Sequence, residues 1–192
     1  MTVLGPFPPS SADEWPFWQA GADRPGQCTL CYRRCTLDDG QAGPCGIRRN
    51  VGGALEVRDY SVASTMTRQL HGIQDPFMFY KPGKTAMMLG STHCTAACTF
   101  CASSYIVHKP DSMPWVTAPD QTASLGSLHS WMKATVDPET AVKNAMVVGA
   151  TSIIFGINEP TLSLEYTFHV ASIAKAVGMD IRLFTVEGVG GV

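Results

Sequence analysis

Residues 85–101 read TAMMLGSTHCTAACTFC, an apolar run followed by a loop with three cysteines. An uninterrupted apolar run is typical of a β-strand that is buried on both faces of its sheet. The strand is predicted over 85–90, so the loop follows at its carboxyl end. The cysteines Cys94, Cys98 and Cys101 have the spacing C-x3-C-x2-C. This stretch predicts a buried strand that ends in a cluster of thiols.

The chain beyond residue 136 alternates between helical and strand patterns. Residues 137–139, Asp-Pro-Glu, form a helix start with a capping aspartate and a proline in the first turn. A strand over 151–156, a second helix and a strand over 180–186 follow. Successive β-α-β units form parallel sheets with right-handed crossovers. The pattern predicts an α/β core with three parallel strands.

The sequence also predicts the buried side of the first helix and the cap of the second. In the first helix Val142, Ala145 and Met146 recur at i, i+3 and i+4, so all three are expected to face the core. Thr161 is expected to cap the second helix.

Polar residues follow each predicted strand. The cysteine loop follows the first strand, Asn158 and Glu159 the second, and Glu187 the third. Because ligands of parallel α/β sheets bind at the carboxyl ends of the strands, we expect these residues to share one site.

Three closely spaced thiols favour an iron–sulfur cluster. A four-iron cluster normally takes four cysteine thiolates, so a loop that supplies three leaves one iron open to an outside ligand. A zinc knuckle and a set of buried free thiols are the alternatives. Zinc sites usually combine two close ligands with two distant ones, and buried thiols are not usually clustered.

The other four of the seven cysteines form a second group near the amino terminus. Cys28, Cys31, Cys35 and Cys45 have the spacing C-x2-C-x3-C-x9-C. Zinc, a single iron and an auxiliary iron–sulfur cluster all accept four thiolates, and the spacing leaves the three open. We expect a small metal-binding module in a first domain, 1–84, before a core domain, 85–192. The metal of the four-cysteine module would either stabilise a segment that is too small to have its own core or act as a redox centre.

Composition limits the partners. The chain has 192 residues, is 45% hydrophobic and carries a net charge of −2, which indicates a globular protein without the basic excess of a nucleic-acid or anionic-membrane binder. The longest apolar candidate, residues 146–156, is too short to span a membrane. The first residues lack the pattern of a secretory signal, so a cytoplasmic location is expected.

The three-cysteine loop, with Phe100 directly before its last cysteine, resembles the signature of the radical S-adenosylmethionine (SAM) enzymes. Residues 158–161, Asn-Glu-Pro-Thr, are similar to the segment after the second strand in that family. The front cysteines add a likeness to one branch, the pyruvate formate-lyase activating enzymes and AmmeMemoRadiSam-type proteins. The resemblance covers about residues 28 to 188, and the loop 102–136 matches least.

The resemblance implies roles for individual residues. Cys94, Cys98 and Cys101 would bind a 4Fe–4S cluster. Phe100 would flank the adenine of SAM, Asn158 and Glu159 would meet its methionine or ribose end, and Thr185 and Glu187 would meet the ribose.

The resemblance also implies a fold and an activity. The fold would be a partial (βα) barrel, of which this chain holds about half, preceded by the four-cysteine module. The cluster would cleave SAM reductively to a 5′-deoxyadenosyl radical that abstracts hydrogen from an unknown substrate, with a glycyl residue of a partner enzyme as one candidate. A flavodoxin- or ferredoxin-type protein would donate the electron. An isolated half barrel is expected to bind the cluster even where it does not turn over. The alternative is an iron–sulfur or zinc-binding module for electron transfer or scaffolding, without SAM chemistry.

Overall fold

The computed structural model describes residues 17–19, 25–70, 77, 79–96, 98–108, 110–112 and 133–185. Glu187 and most of the loop 102–136 lie outside these residues. The described residues form two compact units, one up to Tyr60 and one over Ser61–Thr185. The second unit begins before the expected boundary at residues 84 and 85, because a strand over residues 65–70 pairs with the strand over 85–90.

The first unit is built from short antiparallel strands. They are β1 (Trp18–Gln19), β2 (Gly26–Cys28), β3 (Thr36–Leu37), β4 (Arg48–Val51) and β5 (Ala54–Val57). Strands β1, β2 and β3 form one sheet in that order, and β4 and β5 form a hairpin. The Asn50 amide donates to the carbonyl of Leu37 at 2.9 Å, which ties the hairpin to the sheet. Cys28, at the end of β2, therefore lies in a sheet of short strands.

Among the residues that the structure describes, the second unit contains a four-stranded sheet and three helices. Its elements are β6 (Val62–Ala63), β7 (Thr65–Leu70), β8 (Thr85–Gly90), α1 (Ser104–His108), a 3-10 turn (Pro110–Ser112), β9 (Ala134–Thr135), α2 (Pro138–Val147), β10 (Ala150–Phe155), a second 3-10 turn (Pro160–Ser163), α3 (Leu164–Ala176) and β11 (Asp180–Leu183). The strand over 85–90 has the predicted bounds.

The sheet has the strand order β11-β10-β8-β7. Strands β8, β10 and β11 are parallel, with Met87 opposite Ile153 and Ile153 opposite Ile181, which confirms the expected β-α-β order. Strand β7 pairs antiparallel with β8 and was not expected. Among the described residues the sheet is open, so the half-barrel fold stays a prediction.

Helices α2 and α3 cover one face of this sheet. Met87, Leu89, Ile153 and Phe155 belong to one buried cluster with side chains of both helices. A separate cluster contains the alternating residues of the same two strands, Ala86, Met88 and Ile154, together with Phe77 and Ile157. Right-handed crossovers explain why two consecutive helices lie on the same side. No helix in the described part of the chain is long and apolar enough to cross a membrane.

The helices agree with the sequence at one predicted cap and differ at a second cap and at one residue of a buried face. Asp137 caps α2, where its carboxylate accepts from the Thr140 amide at 2.8 Å. Met146 was wrongly placed in the buried face of α2, since its side chain is 54% exposed. Thr161 does not cap α3; it lies in the 3-10 turn that precedes it, and Ser163 is the N-cap residue.

Candidate functional site

The carboxyl edge of the sheet brings three of the predicted segments together. The cysteine loop follows β8, Asn158 and Glu159 follow β10, and Thr185 follows β11. Parallel strands place these segments side by side, as expected from the order of the elements. The site is therefore built from the ends of three adjacent strands.

Asn158 connects the second of these segments to the first. Its side-chain oxygen accepts from the Ser91 amide at 3.0 Å. Its side-chain nitrogen lies 2.8 Å from Ser91 Oγ, 3.2 Å from the carbonyl of Thr92 and 2.9 Å from the carbonyl of His93. The side chain is 7% exposed. Asn158 thus binds the residues that lead directly into Cys94.

Two further serines, Ser64 and Ser163, contact Ser91 at the entry to the cysteine loop. The Ser64 hydroxyl donates to the carbonyl of Ser91. The Ser163 hydroxyl lies 3.2 Å from Ser91 Oγ. Sequence reasoning missed all three serines, because isolated serines form no pattern until the strand ends meet. The entry to the cysteine loop is consequently bonded from three elements.

Two non-glycine residues at this edge have left-handed backbone conformations. Ile157 has φ +79° and His93 has φ +64°. Left-handed conformations are costly for a β-branched residue and persist where the surroundings enforce them. A side chain at Gly90 would meet Ile157 Cβ at 3.0 Å, so glycine is what lets the two strand ends approach.

Glu159 connects the second segment to the third. Its carboxylate is 1% exposed and accepts from the Thr185 hydroxyl at 2.8 Å and 3.0 Å. It also accepts from the amide of Thr161 at 3.1 Å and caps the 3-10 turn. Buried carboxylates need such donors, since an unpaired buried charge is unfavourable. Glu159 therefore stabilises the junction between β10 and β11.

The three thiols of the loop are half-buried. Cys94, Cys98 and Cys101 are all partly exposed, and none of them forms a disulfide. The Cys101 amide donates to the carbonyl of Cys98 at 3.2 Å, which closes a turn between them. Phe100 lies at the tip of this turn and is 87% exposed. The loop therefore presents sulfur atoms and an aromatic ring at the surface of the second unit.

The chemistry of this donor set fits an iron–sulfur cluster. Residues 91–103 contain three thiols and no carboxylate, and soft thiolates are the ligands that iron–sulfur clusters take. Within the residues that the structure describes, no group of three or more His, Cys, Asp or Glu side chains is arranged to hold a metal ion. The loop supplies the type of ligand that an iron–sulfur cluster needs, and its thiols would have to turn toward a common centre to bind one.

The front cysteines interact electrostatically with one another. Burial raises the pKa of the Cys28 thiol, and the nearby Cys31 and Cys45 raise it further, against the opposing charge of Arg48. Burial likewise raises the pKa of Cys35, with Cys31 and Cys45 again contributing. Cys31 and Cys45 thus act on both Cys28 and Cys35. Four thiols match a four-thiolate site in donor chemistry, although these residues too would have to move to bind an ion.

A small cavity lies behind the strand ends. It measures about 10 Å³, and Ser91, Asn158, Ser163 and Tyr166 are among the residues that line it. A space of this size holds roughly one water molecule. It is far too small for SAM, so a nucleoside would have to lie outside it, on the surface formed by the loop and the strand ends.

Comparison with known proteins identifies one relative. The uncharacterized protein MJ0808 of Methanocaldococcus jannaschii is 24% identical over 164 residues, which are 85% of this chain and 44% of the relative. The chain thus spans less than half of that protein's length. No protein-family model matches the chain. No solved structure matches it either.

Proposed function

We propose that the chain binds a 4Fe–4S cluster through Cys94, Cys98 and Cys101 and forms the SAM-binding part of a radical SAM enzyme. One observation carries this proposal. A carboxylate-free loop with three half-buried thiols follows a buried parallel strand, and the segment after the adjacent strand is bonded to its entry. A loop of ordinary structural thiols has no need of such a location.

The chain's own residues would bind and orient the reactants. A bound cluster would supply the electron that cleaves SAM to a 5′-deoxyadenosyl radical, which abstracts hydrogen from the substrate. Phe100 is exposed and offers a ring on which an adenine can stack. Thr185 is exposed after β11, where its hydroxyl, bonded to the buried Glu159 carboxylate, would meet the ribose. The proposed contacts of Asn158, Glu159 and Glu187 with SAM stay predictions.

The partners follow from this chemistry and are part of the proposal. The reaction needs a one-electron donor, for which a flavodoxin- or ferredoxin-type protein in the cytoplasm is suited. The substrate is open, and a glycyl residue of a partner enzyme is one candidate. Because the chain spans less than half of its relative, turnover is proposed for a longer protein and cluster binding for this chain.

Iron content after anaerobic reconstitution tests the cluster. Cys98→Ser and the matched control Cys35→Ser each remove one half-buried thiol, from different cysteine groups. We expect the wild type and the control to bind about four irons and four sulfides at the loop, and Cys98→Ser to lose most of them. Equal iron content in all three proteins would contradict the proposal.

A second candidate function is a metal-binding module for electron transfer or scaffolding, without SAM chemistry. The proximity of the front cysteines favours it. The Cys28 amide donates to the carbonyl of Cys35 at 2.8 Å, and the charges of Cys31 and Cys45 act on the Cys28 thiol. This candidate predicts a zinc or iron ion that Cys28→Ser releases and Cys98→Ser retains. Metal analysis of the two variants distinguishes the candidates.

A further inference from the structure

We infer that Asn158 is a positioning residue for the cysteine loop. Its side chain binds the main chain of residues 91–93 and so determines where Cys94 begins. The importance of this positioning for a cluster rests on the proposed function, whereas the bonding itself does not. Asn158 thus has hydrogen-bond partners within the chain, whereas the resemblance in sequence implies a contact with SAM.

The hydrogen-bonding groups of Asn158 are used within the chain. An asparagine side chain has one carbonyl oxygen and two N–H donors. The oxygen accepts from the Ser91 amide, and the nitrogen lies within hydrogen-bond distance of three oxygens, Ser91 Oγ and the carbonyls of Thr92 and His93. Both donors are therefore engaged at a buried site. A side chain bonded in this way contributes more to positioning its neighbours than to contacting a ligand.

The residue before Asn158 explains how its side chain reaches the loop. Ile157 is left-handed, and its side chain packs with Ala86, Met88 and Ile154 on the face of the sheet opposite to the helices. That packing fixes Ile157 while its backbone turns. The next side chain, Asn158, then extends across the end of β8. The left-handed turn is thus compensated by contacts on both sides, which is how such conformations persist.

Burial separates the entry of the loop from its thiols. Thr92 and His93 are buried, whereas Cys94 is half-buried. The main chain is therefore bonded where it leaves the sheet, whereas Cys94, Cys98 and Cys101 are partly exposed. This division suits a loop that must turn its thiols toward one centre without moving its origin.

Thiol labelling of the metal-free chain tests the inference without any cluster. Asn158→Ala removes the bonds to the loop, and Asn144→Ala is the matched control, because that buried amide donates to Met66 Sδ at 3.7 Å and not to the loop. Peptide-resolved mass spectrometry would follow alkylation of Cys94, with Cys28 as the internal reference. We expect Asn158→Ala to speed labelling of Cys94 about tenfold relative to Cys28, since several buried hydrogen bonds are lost. The control should leave that ratio unchanged.

A second variant keeps the test decisive if alanine prevents folding. Asn158→Asp retains an oxygen for the Ser91 amide and loses both N–H donors. We expect slow exchange of the Ser91 amide together with fast labelling of Cys94. Unchanged labelling in folded Asn158→Asp, or equal acceleration by Asn144→Ala, would overturn the inference. If the wild type takes up no iron while Asn158 variants still accelerate labelling, the proposed function fails and the positioning role stands.

Discussion

Replacing Gly90 by alanine places a methyl group at the point where the ends of β8 and β10 meet. The new Cβ would lie 3.0 Å from Ile157 Cβ, 3.2 Å from its Cγ1 and 3.3 Å from the carbonyl oxygen of Gly156. Two of these atoms belong to a side chain that is fixed by a left-handed backbone, and the third is main chain. None can move without displacing the turn that carries Asn158. The substitution therefore tests the junction on which the site depends.

The magnitude follows from two opposing effects. Overpacking of a tight site costs about 2 kcal/mol. Replacing glycine by alanine in an allowed conformation regains about 0.7 kcal/mol through the unfolded chain. The net loss is about 1.3 kcal/mol, which lowers the urea midpoint by about 0.6 M when the slope is about 2 kcal/mol per M.

The matched control is Gly156→Ala at the end of the adjacent strand. Its Cβ would lie 3.4 Å from Phe184 Cβ, and the Phe184 side chain is half exposed and free to shift. We expect the urea midpoint of this variant to equal that of the wild type or to exceed it slightly. Equal midpoints for Gly90→Ala and Gly156→Ala would refute the close approach of the strand ends.

Three further predictions concern the helices and the thiols. Asp137→Ala removes the cap of α2 and should lower the free energy of unfolding by about 1 kcal/mol at pH 7. The Thr140 hydroxyl, and then the Thr140 amide, lower the pKa of Asp137 in the folded chain, so this difference should be present above the unfolded-state pKa and disappear as the pH falls below about 4. Urea titrations at several pH values measure it. Met146→Lys should change stability by less than about 0.5 kcal/mol, because the side chain is mostly exposed, and a large loss of the melting temperature would contradict this. In the metal-free chain Cys28 should be alkylated more slowly than Cys101 at pH 7.5, since burial raises the pKa of Cys28 and lowers its thiolate fraction, and the gap should narrow as the pH rises.

The sequence predicted those parts of the fold that depend on local patterns. The bounds of β8 follow from its apolar run, and the start of α2 follows from an aspartate and a proline in the right order. Strand β7 escaped prediction because residues 65–70 form a strand through pairing with β8, and this pairing depends on the fold. Met146 was predicted wrongly for a related reason. Helical spacing indicates which side of a helix is apolar, but contacts with the rest of the fold decide whether a residue at the edge of that side is buried.

The sequence predicted where the candidate site lies and did not predict the hydrogen bonds that its residues form. Strand order alone places Asn158, Glu159 and the cysteine loop at one edge of the sheet. The bonds of Asn158 to residues 91–93 depend on a left-handed turn at Ile157 and on a glycine at position 90, for which the sequence has no local signal. A polar residue after a strand is therefore as readily a partner for the neighbouring loop as for a ligand.

The most direct test of the central claim is electron paramagnetic resonance of the reduced, anaerobically reconstituted chain, recorded with and without SAM. The proposal predicts the signal of a reduced four-iron cluster whose shape changes when SAM is added, because SAM would bind the iron that the three cysteines leave open. Absence of a cluster signal in the reconstituted protein, or a signal that SAM does not alter, would contradict the assignment of Cys94, Cys98 and Cys101 to a radical SAM site.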